Sequence, residues 1–135
     1  MFETSAQAQP CVLVVEDNPA NMMLVVAVLA RAGFRSAQAA SAEEARRVIE
    51  TVQPDLILMD IQLPGEDGLS LTRELKASPT TGHIPIVALT AHAMKGDEVQ
   101  AIAAGCDAYV AKPIDTHTFA TFVSQFLPLQ AKAVE

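Results

Sequence analysis

Apolar residues in this chain gather in short runs, each followed by a polar turn and then by a stretch with helical spacing. Residues 11–15 and 56–59 are unbroken apolar runs, the pattern of strands covered on both faces within a parallel sheet. Residues 84–89 and 107–111 predict two further strands, and 34–40, which alternates, predicts an edge strand. Asn18 is placed to cap a helix and Pro19 to open it, with Gly33 stopping it after about Ala32. Ser41-Ala-Glu-Glu44 is a capping box for a helix through about Val52. A third helix starts at Asp67 or Gly68 and runs to about Ala77, burying Leu69, Leu71 and Leu75, and a turn-rich connection over 78–83 follows it. A fourth spans 93–104, weakened in its first turn by Gly96 and closed by Gly105. The last spans 115–127, turns Phe119, Phe122, Val123 and Phe126 inward, and stops at Pro128. Strands and helices thus alternate five times, which predicts a doubly wound α/β domain with right-handed crossovers.

In the first helix Met22, Val25, Val26 and Leu29 share the face expected against the sheet. Met23, Leu24 and Val28 carry apolar character around more of its circumference, which fits either a helix tucked between neighbours or one that docks a partner. Half of the 135 residues are hydrophobic, so the chain has the means to bury a core without metals or disulfides. A formal charge of −7 and the lack of a basic cluster argue against nucleic acid as a partner. Cys11 and Cys106 lack metal-ligand spacing and suit a reduced, cytoplasmic protein. The residues before Cys11 lack the charged and apolar blocks of a signal peptide, and with no uninterrupted apolar stretch of sufficient length no membrane span is expected. Residues 1–10 read as a flexible N-terminal segment, 11–127 as the domain and 128–135 as a tail.

The chemistry sits where the strands end. Asp60 closes the third strand, and ligand crevices in open α/β sheets lie at the carboxyl ends of the strands. An aspartate there also makes an ordinary turn cap. Its company tips the balance: the first strand ends in Glu16-Asp17, the fourth in Thr90 and the fifth in Lys112. Acids so clustered repel one another unless a cation joins them, and Mg²⁺, a hard ion that accepts carboxylates and phosphate oxygens, is the natural guest. With a compact positive charge from Lys112, a hydroxyl from Thr90 and backbone N–H groups after Asp60 and Thr90, the set suits phosphoryl transfer onto a carboxylate. His83, His92 and His117 are not spaced as metal ligands and read as exposed or loop residues. A hydrolase working through an aspartyl phosphate is a rival, but it wants a second acid two residues past its nucleophile, where this chain has Gln62.

Val15-Glu-Asp-Asn18, Leu58-Met-Asp-Ile-Gln-Leu-Pro64 with Gly68, Leu89-Thr-Ala91 and Lys112-Pro113 together resemble the bacterial response-regulator receiver domain over about residues 11–127. The run Thr90-Ala-His-Ala-Met-Lys-Gly-Asp97 resembles the DivK type of stand-alone receiver. The resemblance implies a CheY-like, flavodoxin-like sheet of order 2-1-3-4-5, in which the strands of Cys11 and Cys106 are not neighbours and no disulfide is expected. It further implies that Asp60 is the phosphoacceptor, charged by a phosphohistidine of a histidine kinase or histidine phosphotransfer protein. Asp17, Asp60 and the backbone carbonyl of Gln62 would bind Mg²⁺, with Glu16 assisting through a metal-bound water. Thr90, the Ala91 N–H and Lys112 would grip the phosphoryl group, while Gln62 and His92 would flank it and tune its loss. Thr90 and Tyr109 would form the switch, moving a face that includes Met94 and Val99, and Lys112-Pro113 would be cis. Glu16 departs from the Asp-Asp pair common in the family but keeps the charge. The function so implied is a single-domain response regulator, monomer or weak dimer, that is not a turnover enzyme and acts on a downstream signalling protein in trans. A phosphate shuttle, or a receiver excised from a hybrid histidine kinase, are the alternatives.

Overall fold

The computed structural model describes residues 9–90 and 95–127, without the side chains of 95–97. Its strands are β1 (Cys11–Val15), β2 (Arg35–Ala39), β3 (Leu56–Asp60), β4 (Ile86–Thr90) and β5 (Ala108–Ala111). Its helices are α1 (Pro19–Arg31), α2 (Ala42–Val52), α3 (Gly68–Ala77), α4 (Lys95–Ala104) and α5 (Phe119–Ser124). All strand pairs are parallel and the order is β2-β1-β3-β4-β5, the order implied by the resemblance.

Strand periodicity sorts the core into two layers. Leu13 and Val15, Ile57 and Met59, Ile86 and Ala88 point to the layer built with α2, α3 and α4. Val12 and Val14, Leu56 and Leu58, Val87 and Leu89 point to the layer built with α1 and α5. Every residue of β1, β3 and β4 is buried, which is why those segments read as unbroken apolar runs. Each fully covered aliphatic side chain contributes about 1.5–3 kcal/mol, and the sheet interior is where most of that gain lies.

Local signals placed most element ends. Asn18 accepts the Asn21 N–H, Ser41 accepts the Glu44 N–H and Asp67 accepts the Leu69 N–H. The return arm of the Ser41 box differs from the simple pattern, since Glu44 Oε1 takes the Ala40 N–H at 2.7 Å, one residue before the cap. Gly33 and Gly105 adopt the positive φ that ends a helix without steric cost.

Several expectations need correction. The buried stripe of α1 takes in Val28, and Val26 is only half-buried, because α1 leans on β2 and α5 as well as β1. Met23 and Leu24 are exposed, at 73% and 38%, so among the described residues nothing tucks that side of the helix away. Strand β4 starts two residues later than the apolar run, since the Ile84 N–H turns back to Thr81 and Pro85 has no N–H to give. Strands β2 and β5 are likewise shorter than predicted. The last helix is confined to Phe119–Ser124: the Asp115 carboxylate is used by the His117 N–H in a preceding turn, and Thr118 gives no side-chain cap. It buries Phe119 and Val123 fully, leaving Phe122 and Phe126 in edge-to-face contact and half-covered. Cys11 and Cys106 are both buried and free, and burial pushes each thiol up from its ordinary value. His83 and His117 are exposed. Residues 1–8, 91–94 and 128–135, and with them Ala91, His92, Met94, the Pro128 stop, the tail and most of the N-terminal segment, lie outside the described residues.

Candidate functional site

Parallel pairing brings the carboxyl ends of β1, β3, β4 and β5 to one edge, and the register then decides which side chains meet. Asp60 is the last residue of β3, continues the Leu56–Leu58 side of the sheet, and is 3% exposed. Its Oδ1 accepts the Gln62 N–H at 2.9 Å, so the turn-capping role is real. It is not the whole of it. Asp60 Oδ2 lies 3.1 Å from Lys112 Nζ.

Lys112 follows β5 on the same side of the sheet, and its backbone N–H is tied to the Thr90 carbonyl at 2.7 Å. The ammonium also stands 2.7 Å from Glu16 Oε1. Glu16 is 2% exposed, and its Oε2 accepts the Asn18 N–H at 3.2 Å. Beyond this ion pair its Oε1 has no partner among the described residues, an arrangement that leaves lone-pair capacity on a buried carboxylate. Asp17, beside it, is exposed, and ligand oxygens of Glu16, Asp17 and Asp60 fall within 4.8 Å of one another. Three hard oxygen donors, two of them buried and one open to solvent, suit a divalent cation of the Mg²⁺ kind that keeps part of its water shell.

The electrostatics agree with a site built around charge to be neutralised. Burial pushes the Asp60 carboxyl up, the Gln62 N–H opposes this, the charge of Glu16 adds to it and Lys112 opposes it. Burial alone would depress the Lys112 ammonium, but the Glu16 and Asp60 carboxylates outweigh it and hold it above its ordinary value.

Beneath Asp60 the backbone is packed without slack. A Cβ on Gly68 would run into the Asp60 carbonyl oxygen and stand 2.8 Å from Ile61 Cα, so only glycine lets the start of α3 close on the end of β3. Thr90 ends β4 fully buried, and by strand parity it faces the opposite side of the sheet from Asp60. Tyr109 shares that opposite side, half-buried against the layer of α2, α3 and α4 and in register with Ala88. The Gln62 side chain is exposed, and the Lys112-Pro113 bond is cis.

A family model described as the response regulator receiver domain matches residues 12–124. The chain belongs to that family. This receiver is 42% identical over 116 residues to the polar-differentiation response regulator DivK of Brucella ovis, covering 86% of this chain and 94% of that one. A DivK of Brucella anthropi is 41% identical over the same length. Among solved structures, a response regulator from Chloroflexus aurantiacus superposes with a TM-score of 0.84 at 31% identity, covering 87% of this chain and 97% of the other. The receiver domain of a sensor histidine kinase from Pseudomonas aeruginosa superposes with a TM-score of 0.80 at 37% identity, again over 87% and 97%, and that structure has a magnesium ion coordinated in its active-site cleft. The receiver is thus a DivK-like response regulator of two-component signalling. No helix among the described residues is long and apolar enough to cross a membrane.

The sequence reading of this receiver's edge missed three things. It assigned Lys112 only to a phosphoryl group, whereas the lysine bridges Glu16 and Asp60. The extra methylene of Glu16, noted only as a departure, is what carries its carboxylate to that ammonium while Asp17 stays outside. Gly68, read there as a family motif residue and a helix start, also permits the close approach to Asp60.

Proposed function

We propose that Asp60 accepts a phosphoryl group from a phosphohistidine of a histidine kinase or histidine phosphotransfer protein, and that the modified chain then alters a downstream signalling protein in trans. The observation that carries this reading is the buried Asp60 carboxylate at a strand end, paired with Lys112 and clustered with Glu16 and Asp17. An Asp60 oxygen attacks phosphorus in line, the P–N bond to the donor imidazole breaks, and its electron pair returns to the ring nitrogen. Lys112, already poised between two carboxylates, is placed to follow the charge onto the phosphoryl oxygens. Asp17, Asp60 and the Gln62 carbonyl would hold Mg²⁺, with Glu16 helping through a water. Bound there, the ion would withdraw charge from the transferring oxygens. Thr90 and the Ala91 N–H complete the grip, and Gln62 and His92 set how fast water regains access to the acyl phosphate.

The switch is the second half of the proposal. A phosphoryl group adds charge and acceptor oxygens at Asp60. Thr90 reorients toward it, and Tyr109, on the same side of the sheet, takes up the space released. The Val99 face of α4, 69% exposed at that residue, moves with it. The DivK relatives are named for polar differentiation, and an output of that regulatory kind, read by a protein partner in the cytoplasm, is the one we assign.

Asp60→Asn tests the acceptor directly, since the amide is nearly isosteric but forms no acyl phosphate. Wild type treated with a phosphorylated histidine kinase, with Mg²⁺ present, should gain an acid- and hydroxylamine-sensitive label, and the variant none. Full labelling of Asp60→Asn, located by mass spectrometry elsewhere, would remove the assignment.

A further inference from the structure

The loop between β3 and α3, residues 61–67, starts one residue after Asp60 and is tied at its ends, where the Ile61 N–H donates to the Leu89 carbonyl and the Gly68 N–H to the Ile61 carbonyl. Ile61 and Leu63 are buried, but Gln62, Pro64, Gly65 and Asp67 are exposed, and Gly65 sits at positive φ. Across from it, Arg46 projects from the middle of α2. Its guanidinium meets the Glu66 carboxylate through two N–H groups, Nη1 at 3.1 Å from Oε1 and Nη2 on Oε2. The same guanidinium meets Glu74 of α3 through Nε at 2.8 Å and Nη2 at 2.7 Å. One planar fork thus grips two carboxylates, the geometry in which arginine is strongest and lysine is no substitute.

We propose that Arg46 is a positioning residue: by fastening Glu66 to α2 and α3 it holds the β3–α3 loop so that Gln62 stays against Asp60. The charge count makes the clasp two-sided. With Arg46 present the pair of acids is bridged; without it, Glu66 and Glu74 repel, and the loop is pushed from the helix that follows it. The bond at risk is the Gln62 N–H to Asp60 Oδ1, two residues from the acceptor, and the carbonyl on the far side of that residue is the one assigned to Mg²⁺. Arg46 touches neither, and acts only through Glu66. The mutual hold is reflected in the guanidinium, kept above its usual range by Glu74 and Glu66, and in Glu74, drawn down by Arg46. The inference rests on the reading of the Asp60 edge as a Mg²⁺-assisted phosphoacceptor site.

The test compares wild type with Arg46→Met, Arg46→Lys, Glu66→Gln and the swapped pair Arg46→Glu with Glu66→Arg. Arg47→Met serves as a control, because among the described residues Arg47 pairs only with exposed Glu43 on its own helix. Amide hydrogen exchange at Gln62, Gly65, Glu66 and Asp67 reads the clasp without metal, and calorimetry reads Mg²⁺ affinity. Arg46→Met and Glu66→Gln should speed exchange in the loop and weaken Mg²⁺ by about two- to fivefold, the scale of a part-exposed ion pair acting at one remove from the ligands. Arg46→Lys should fall between, the swapped pair should recover most of both, and Arg47→Met should change neither. Unchanged exchange and affinity in Arg46→Met and Glu66→Gln would overturn the proposal. So would faster exchange with unchanged Mg²⁺ affinity, since Arg46 would then hold the loop without positioning the site. Wild type that binds no Mg²⁺ would instead refute the reading of the Asp60 edge, and exchange at the Gln62 N–H alone would then decide the role of Arg46.

Discussion

Gly68→Ala pits two known effects against each other at the floor of the site. Gly68 is the first residue of α3, is buried and does not adopt positive φ, so alanine there gains about 0.4–1 kcal/mol by narrowing the unfolded ensemble. Against this, the new methyl meets backbone, not a flexible side chain: the Asp60 carbonyl oxygen and, at 2.8 Å, Ile61 Cα. Carbon atoms rest comfortably about 3.5–4.0 Å apart, so the end of β3 or the start of α3 must yield by about 1 Å. Overpacking of this kind costs about 1–3 kcal/mol, and where both neighbours are main chain the upper half of that range applies. The net expectation is a loss of about 1–2.6 kcal/mol, or about 3–9 °C in Tm for a domain of this size. The displaced atoms are main chain of Asp60 and Ile61, so the Asp60 carboxylate shifts with them, and a 1 Å error in a reacting group costs up to about 10²-fold in rate. Differential scanning calorimetry and the rate of labelling by acetyl phosphate measure the two losses separately. A Gly68→Ala chain as stable as wild type and phosphorylated at the same rate would show that the close approach does not constrain the acceptor.

Three further outcomes are expected. Asp17→Ala should weaken Mg²⁺ at least tenfold by calorimetry while leaving the chain without metal as stable as wild type or more so, because it removes one of three mutually repelling carboxylates. In EDTA, Asp60→Asn should gain stability over wild type as pH rises above the ordinary aspartate value of about 4. The sign follows from the raised carboxyl: folding favours its protonated form, so that contribution is present below the unfolded pKa and is lost as pH rises through the folded one; a Tm difference independent of pH would contradict it. Thr90→Ala should leave Asp60 able to take the phosphoryl group but shrink the change in partner affinity on adding beryllofluoride, with substitution of Tyr109 doing the same; full retention of that change in both would redirect the signal to another surface, the exposed Met23–Leu24 side of α1 first.

The sequence by itself carried whatever depends on near neighbours. Burial of β1 and β3 on both faces is written in residues 11–15 and 56–59, because a strand repeats every two residues and a doubly covered one has no polar position to show. The caps at Asn18, Ser41 and Asp67 are equally legible, since a side chain satisfies a helix N–H only two or three residues away. The placing of Glu16, Asp17, Asp60, Thr90 and Lys112 at one edge followed from parallel alternation, as every strand of such a sheet ends on the same side. What the tertiary structure decided is contact between elements. Lys112 and Asp60 lie 52 positions apart, and only register and strand order put the ammonium between two buried carboxylates. Tyr109 packs into the layer of α2, α3 and α4, away from Asp60, which a list of strand-end residues does not contain. Arg46 gave no local sign of its partners, 20 and 28 residues on, because a side-chain ion pair leaves no period in the chain; it exists only where two helices and a loop converge.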